Sequence, residues 1–113
     1  MKLRQIADIL DAEISCAPDG WEQIDVKSVI ASDLMSDVLL SDRDNMLLIT
    51  SLSNEQSIRS AGIVGAVAVV ITLNKSVMPG MVELAEELEI ALLRTRFPKF
   101  ESCVKVGRLM GQI

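Results

Sequence analysis

The sequence predicts an α/β fold: a layered sandwich with a mostly parallel central sheet flanked by helices. Three observations predict it. Half of the 113 residues are hydrophobic but only 3% are aromatic, so the core has to be built from Val, Ile, Leu, Met and Ala, which suits a sheet buried on both faces. The runs Met46–Thr50 and Ala66–Thr72 are apolar without polar alternation, as strands covered on both sides are. From Val26 onward, strand and helix patterns alternate, and each connection is long enough for a right-handed crossover. The length suits a single domain over 1–113.

Each element has its own signal. Leu3, Ile6, Ile9 and Leu10 repeat at helical spacing and predict a helix from about Lys2 to Asp11. A brief strand is expected at Glu13 to Cys16, then a turn at Pro18, Asp19 and Gly20. Trp21 after that turn reads as a core anchor. Val26 to Ala31 is a strand with β-branched Val26, Val29 and Ile30. Ser32 or Asp33 then caps a helix whose apolar face is Leu34, Met35, Val38 and Leu39. After the charged loop Asp42 to Asn45 comes the strand Met46 to Thr50. Ser53 and Gln56 have capping-box spacing and predict a helix to about Ala61, closed by Gly62 and Gly65. Ala66 to Thr72, rich in Val and Ile and uncharged, belongs at the centre of the sheet. Asn74 to Gly80 is a loop, and Met81, Leu84, Ala85 and Leu88 mark the next helix, with Glu83, Glu86, Glu87 and Glu89 toward water. Ile90 to Thr95 is the last strand. A final helix follows Phe97 and Pro98, with Phe100, Cys103, Val104 and Met110 on one side and Leu109 and Ile113 in an apolar tail.

Composition excludes several functions. The net charge of -5 and the lack of any basic run argue against a nucleic-acid partner. There is no histidine, so the usual general base and the commonest metal ligand are missing. Cys16 and Cys103 stand alone and read as reduced, mostly buried thiols, neither a disulfide nor a metal site. The longest apolar stretch, Ala61 to Leu73, is shorter than the ~20 residues that span a bilayer, so no membrane partner and a cytoplasmic location are expected. No phosphate loop occurs, and no nucleophile stands beside a base. The chain reads as no enzyme, with no cofactor and no metal.

In an open parallel sheet, ligands bind at the carboxyl ends of the strands. That rule selects the loops holding Ser32 and Asp33, Thr50 to Asn54, Thr72 to Lys75, and Thr95 with Arg96. Free amides in the Thr50–Asn54 loop would hold an anion, although capping by Ser53 is the plainer reading and the loop has no glycine. Asp33 and Asp37 are spaced to share a helix face and hold Mg²⁺, against which stands simple capping by Asp33. Arg59 and Lys75 would neutralise an anionic ligand or else remain solvated.

The stretch Val29 to Leu39 resembles the early motif of the DRTGG domain family. Met46 to Thr50, followed by Asn54, Gln56, Ile58, Arg59 and Ala61, resembles its middle motif. Val67 to Leu73, Leu84-Ala85 and Ala91 to Thr95 resemble its last third. The resemblance covers nearly all of the chain after the first helix, and the order and spacing of the pieces carry it. It implies a fold like the N-terminal domain of HPr kinase/phosphorylases, in a family also found beside CBS domains and with phosphate acetyltransferases. The chain is most similar to free-standing, single-domain members associated with iron-only hydrogenase genes. One departure is that the Gly-rich element after the middle strand is here Ser51-Leu52-Ser53.

The resemblance implies regulation or ligand sensing, usually in a dimer or larger oligomer, with no catalysis. The function expected is a small regulatory domain binding an anionic small molecule, a nucleotide among the candidates, through Ser32, Asp33, Thr50, Asn54, Arg59 and Lys75. The alternative is a protein-interaction or assembly subunit without a small ligand, either a homo-oligomer or the companion of a regulatory partner. It is motivated by the apolar tail, six methionines and a mean hydropathy of +0.36. An enzyme would need Cys16 or Cys103 exposed and reactive.

Overall fold

A computed structural model describes residues 1–113. In chain order the elements are α1 (Leu3–Ile9), β1 (Glu13–Cys16), a 3₁₀ turn (Trp21–Gln23), β2 (Ser28–Ala31), α2 (Met35–Leu39), β3 (Met46–Thr50), α3 (Glu55–Ile63), β4 (Ala68–Ile71), α4 (Pro79–Glu87), β5 (Ala91–Arg94) and α5 (Lys99–Leu109). The sheet order is β1-β5-β4-β3-β2. Strands β2 to β5 are parallel, and β1 adds to the β5 edge antiparallel. The Val/Ile-rich segment is therefore the middle strand, as its lack of charge predicts.

Alternate residues of each strand feed two cores. Met46, Leu48, Val69, Ile71 and Leu92 point to α2, α3 and α4, where they meet Met35, Val38, Ile58, Ala61, Met81 and Ala85. Leu47, Ile49, Ala68, Val70, Ala91 and Leu93 point the other way, to Leu3, Ile6, Ala7 and Leu10 of the α1 segment and Val106 of α5. Burying each large aliphatic side chain stabilises the fold by roughly 1.5–3 kcal/mol, and this double layer is why the strands show no period-two pattern. Trp21 packs half-buried on the α1 and α5 side.

The parallel strands run in step: Ala31 pairs with Ile49, Thr50 with Ile71, and Ile71 with Arg94. Their carboxyl ends are thus level and form one rim.

Several local expectations need correction. The N-cap of α3 is Asn54, whose side chain accepts from the Ser57 amide at 3.1 Å, and the Ser53–Gln56 box does not form; the Ser53 hydroxyl is drawn across to the Ser76 carbonyl instead. Neither Ser32 nor Asp33 caps α2, which starts after Leu34 without a side-chain cap. Leu34 and Leu39 are exposed, so the inner face of α2 is Met35 and Val38 alone. Pro79 opens α4 and is not part of a loop, since its fixed φ and missing N–H suit a first helical position. In α5 the buried residues are Ser102 and Val106, while Phe100 is 78% exposed. Of the apolar face expected there, Cys103 and Met110 pack against the core beside Val106, and Phe100 does not. The tail folds back, with the Ile113 side chain against Gly107.

Candidate functional site

The rim is organised around Asp33 and the Ser51 peptide. Asp33 follows β2, and its Oδ1 accepts from the Ser51 amide at 2.7 Å and from the Thr50 hydroxyl at 3.0 Å. Its Oδ2 accepts from Lys99 Nζ at 2.6 Å. On the far side of the same residue, the Ser51 carbonyl accepts from Lys75 Nζ at 2.9 Å, and the Ser51 and Thr72 hydroxyls share a 2.6 Å hydrogen bond. Four segments, the ends of β2, β3 and β4 and the start of α5, are tied together by these bonds.

The backbone that delivers Lys75 is unusual. Leu73 and Asn74 both adopt left-handed conformations, with φ of 61° and 52°. Their amides are held by the Phe97 and Thr95 carbonyls at 3.0 and 2.8 Å. A leucine in this region is strained by about 1–2 kcal/mol. The two anchors hold the turn that aims Lys75 back over Ser51.

Partial burial pushes the Asp33 carboxyl up. The Lys99 ammonium, the Ser51 amide and the Thr50 hydroxyl outweigh that and hold it below the ordinary carboxylate range. Asp33 is therefore an anion seated among donors, and its oxygens are spent on them. The pairing with Asp37 does not form, because Asp33 precedes the helix and faces the β3 loop. No group of three or more Cys, Asp or Glu side chains is placed to hold a metal ion.

The expected residues distribute as follows. Asp33, Thr50 and Lys75 enter the rim network directly. Ser32 is adjacent but turns its hydroxyl to the backbone of Leu34. Asn54 lies at the edge of the rim and is committed to capping α3. Arg59 lies on the exposed side of α3, outside the network. Ser51 and Thr72, within two of the loops selected by the carboxyl-end rule, and Lys99, outside all of them, complete the network. Lys99 is 66 residues from Asp33 in sequence. Only its position just beyond the loop after β5 hinted at it.

The rim is a surface and not a cavity. The largest cavity, about 670 Å³, is lined by Cys16 to Asp19 with Ala85, Glu86, Glu89 and Ile90. It lies at the opposite, amino-terminal ends of the parallel strands, since Cys16 pairs beside the start of β5. No rim residue lines it.

No family model matches the chain, and no curated protein matches it. Among solved structures, it is similar to the CBS and DRTGG domains of the regulatory region of a Clostridium perfringens pyrophosphatase, crystallised with its activator, diadenosine tetraphosphate. The TM-score is 0.71 at 18% identity, over 98% of this chain and 46% of that one. The chain spans about half of that structure, and the likeness is one of fold. The α/β sandwich with a mostly parallel sheet is thus a fold found in that regulatory region. No helix is long and apolar enough to cross a membrane.

Proposed function

We propose that this chain is a non-catalytic regulatory domain that senses a small anionic ligand, with nucleotides the leading class, on the rim at the carboxyl ends of β2 to β4. The observation that carries this reading is the convergence of Lys75, from the β4–β5 crossover, and Lys99, from the start of the last helix, on Ser51 and its partner Asp33. This is the end of a parallel sheet where ligands bind. The similar regulatory region is complexed with a polyphosphate-bridged dinucleotide, a ligand whose charge suits two lysines. A nucleophilic role for Ser51 is disfavoured by the partner of its Oγ, which is the Thr72 hydroxyl and not a base. Two free thiols fit a reducing, cytoplasmic setting.

The test is calorimetry and thermal shift with diadenosine tetraphosphate, ATP and pyrophosphate. The wild type should be stabilised by at least one of them, and Lys75→Ala should lose most of the effect. Arg59→Ala probes whether α3 takes part. Absence of any response across the panel would overturn the reading.

A second reading, assembly through protein contacts, is favoured by a set of exposed apolar side chains. Leu40 is 83% exposed, Phe100 78% and Ile63 69%. Light scattering decides it for the homo-oligomer, most simply a dimer: a monomer at high concentration excludes that version.

A further inference from the structure

We infer that the Asp33 carboxylate is the resident occupant of an oxyanion cradle, formed by the Ser51 amide, the Thr50 hydroxyl and the Lys99 ammonium, which receives a phosphoryl or carboxylate oxygen of an incoming ligand once Asp33 swings out. For its ligand class the inference rests on the proposed anion-sensing rim; the gate itself is a separate claim.

The three donors have the chemistry of an anion site. One is a loop amide at 2.7 Å, one a hydroxyl at 3.0 Å and one an ammonium at 2.6 Å. Charge-assisted bonds of this length hold an oxyanion wherever its source lies. A carboxylate from the same chain reaches them first, so a ligand has to compete with a tethered group whose effective concentration is high.

Asp33 is built to leave. It sits in the short loop between β2 and α2, and its side chain is 43% exposed. It caps nothing, because the Ser32 hydroxyl accepts from the Leu34 amide at 3.0 Å. Swinging the carboxylate into water therefore breaks no helix. Lys99 is partly exposed, with 35% of its side chain accessible, and would remain over the cradle to meet the replacement anion. Lys75 binds the carbonyl of the same residue whose amide forms the cradle, so a second charge on the ligand finds a second cation. A diphosphate satisfies both better than a single carboxylate does.

The experiment compares wild type, Asp33→Ala, Asp33→Asn and the double variant Asp33→Ala/Lys99→Met, each titrated with sodium pyrophosphate and with sodium acetate against sodium chloride at matched ionic strength. Asp33→Ala should be stabilised by several degrees in melting temperature by either anion near saturation. The wild type should shift less, and the double variant no more than in chloride. Asp33→Asn, which keeps the shape but not the charge, should bind pyrophosphate about threefold more tightly than wild type, the change expected from a loss of about 0.7 kcal/mol of competition. Equal responses in all four proteins would overturn the cradle. If Asp33→Ala does not fold, the Asp33→Asn titration decides, and unchanged affinity overturns the inference. A wild type blind to nucleotides with a responsive Asp33→Ala sinks the sensing function but supports the cradle; a nucleotide-binding wild type that Asp33→Asn does not improve sinks the gate alone.

Discussion

The Thr95 hydroxyl, at the end of β5, donates a 2.7 Å hydrogen bond to the carbonyl of Leu10, the residue that closes α1 85 positions earlier. Both residues are buried. This is the polar contact that fastens the first helix to the sheet beside a layer of aliphatic packing. Thr95→Val keeps the shape but leaves a buried carbonyl without its donor, which costs about 1–3 kcal/mol. Thr95→Ser keeps the donor and should lose less. Urea melts of the two variants check this, and equal stability would show that water replaces the hydroxyl.

The helix ends predict opposite signs for two substitutions in one motif. The helix α3 ends with Gly65 at φ 73°, and the Ala66 amide bonds back to the Ala61 carbonyl at 2.9 Å. The helix α4 ends the same way, with Glu89 at φ 57° and the Ile90 amide on the Ala85 carbonyl at 2.9 Å. Both are Schellman closures, which favour glycine at the left-handed residue. Gly65→Ala should destabilise by about 1 kcal/mol. Glu89→Gly should stabilise by a similar amount, because it removes left-handed strain from a side chain that faces water. Thermal denaturation reads both, and two shifts of the same sign would contradict the assignment.

The sheet was legible because its signal is local: β3 and β4 are short, uncharged and apolar on both faces, and only a strand covered by two helical layers tolerates that. The identity of the caps was less legible. Ser53 and Asn54 both have side chains that cap, and the choice between them was made by Ser76, 23 residues away, which takes the Ser53 hydroxyl. The place of Phe100 in α5 was illegible for the same kind of reason. Phe100 has the hydrophobicity for the core, but the register is set where Val106 meets the β2 to β5 layer, and this leaves Phe100 outside. At the site, the rule of carboxyl ends located the rim, and Asp33, Thr50 and Lys75 followed from it. Lys99 could not, because sequence gives no reason to pair a lysine at the start of the last helix with an aspartate after the second strand.

Asp33 also carries a pH prediction. Its carboxyl is held below the ordinary value of 3.8 in the folded chain. Between the folded value and 3.8, the unfolded chain binds more protons, so stability rises with pH there. The contribution is complete above the unfolded value and is lost as pH falls through the folded one. With a half-exposed pair screened by solvent, it is worth under about 1 kcal/mol. The stability gap between wild type and Asp33→Asn should therefore be flat from pH 5 to 8 and narrow below about pH 4. A gap that widens in acid would mean that the carboxylate is not the form the donors stabilise.

The thiols give the sharpest discrimination against catalysis by cysteine. Burial pushes the Cys16 thiol up, and the Glu86 carboxylate pushes it further; together they outweigh the hydrogen bond from the Leu92 backbone. Burial also raises Cys103, against the pull of Lys99. The Cys16 Sγ points at the Val82 carbonyl, 3.8 Å away, where a thiolate would meet a negative dipole. Only the thiolate reacts, so both groups should be slow. Labelling with a chromogenic disulfide at pH 7.5 should run at least about tenfold slower in the native protein than in the same chain in guanidinium. A thiol that labels at the denatured rate would mark a reactive centre and return Cys16, beside the largest cavity, to consideration as a nucleophile.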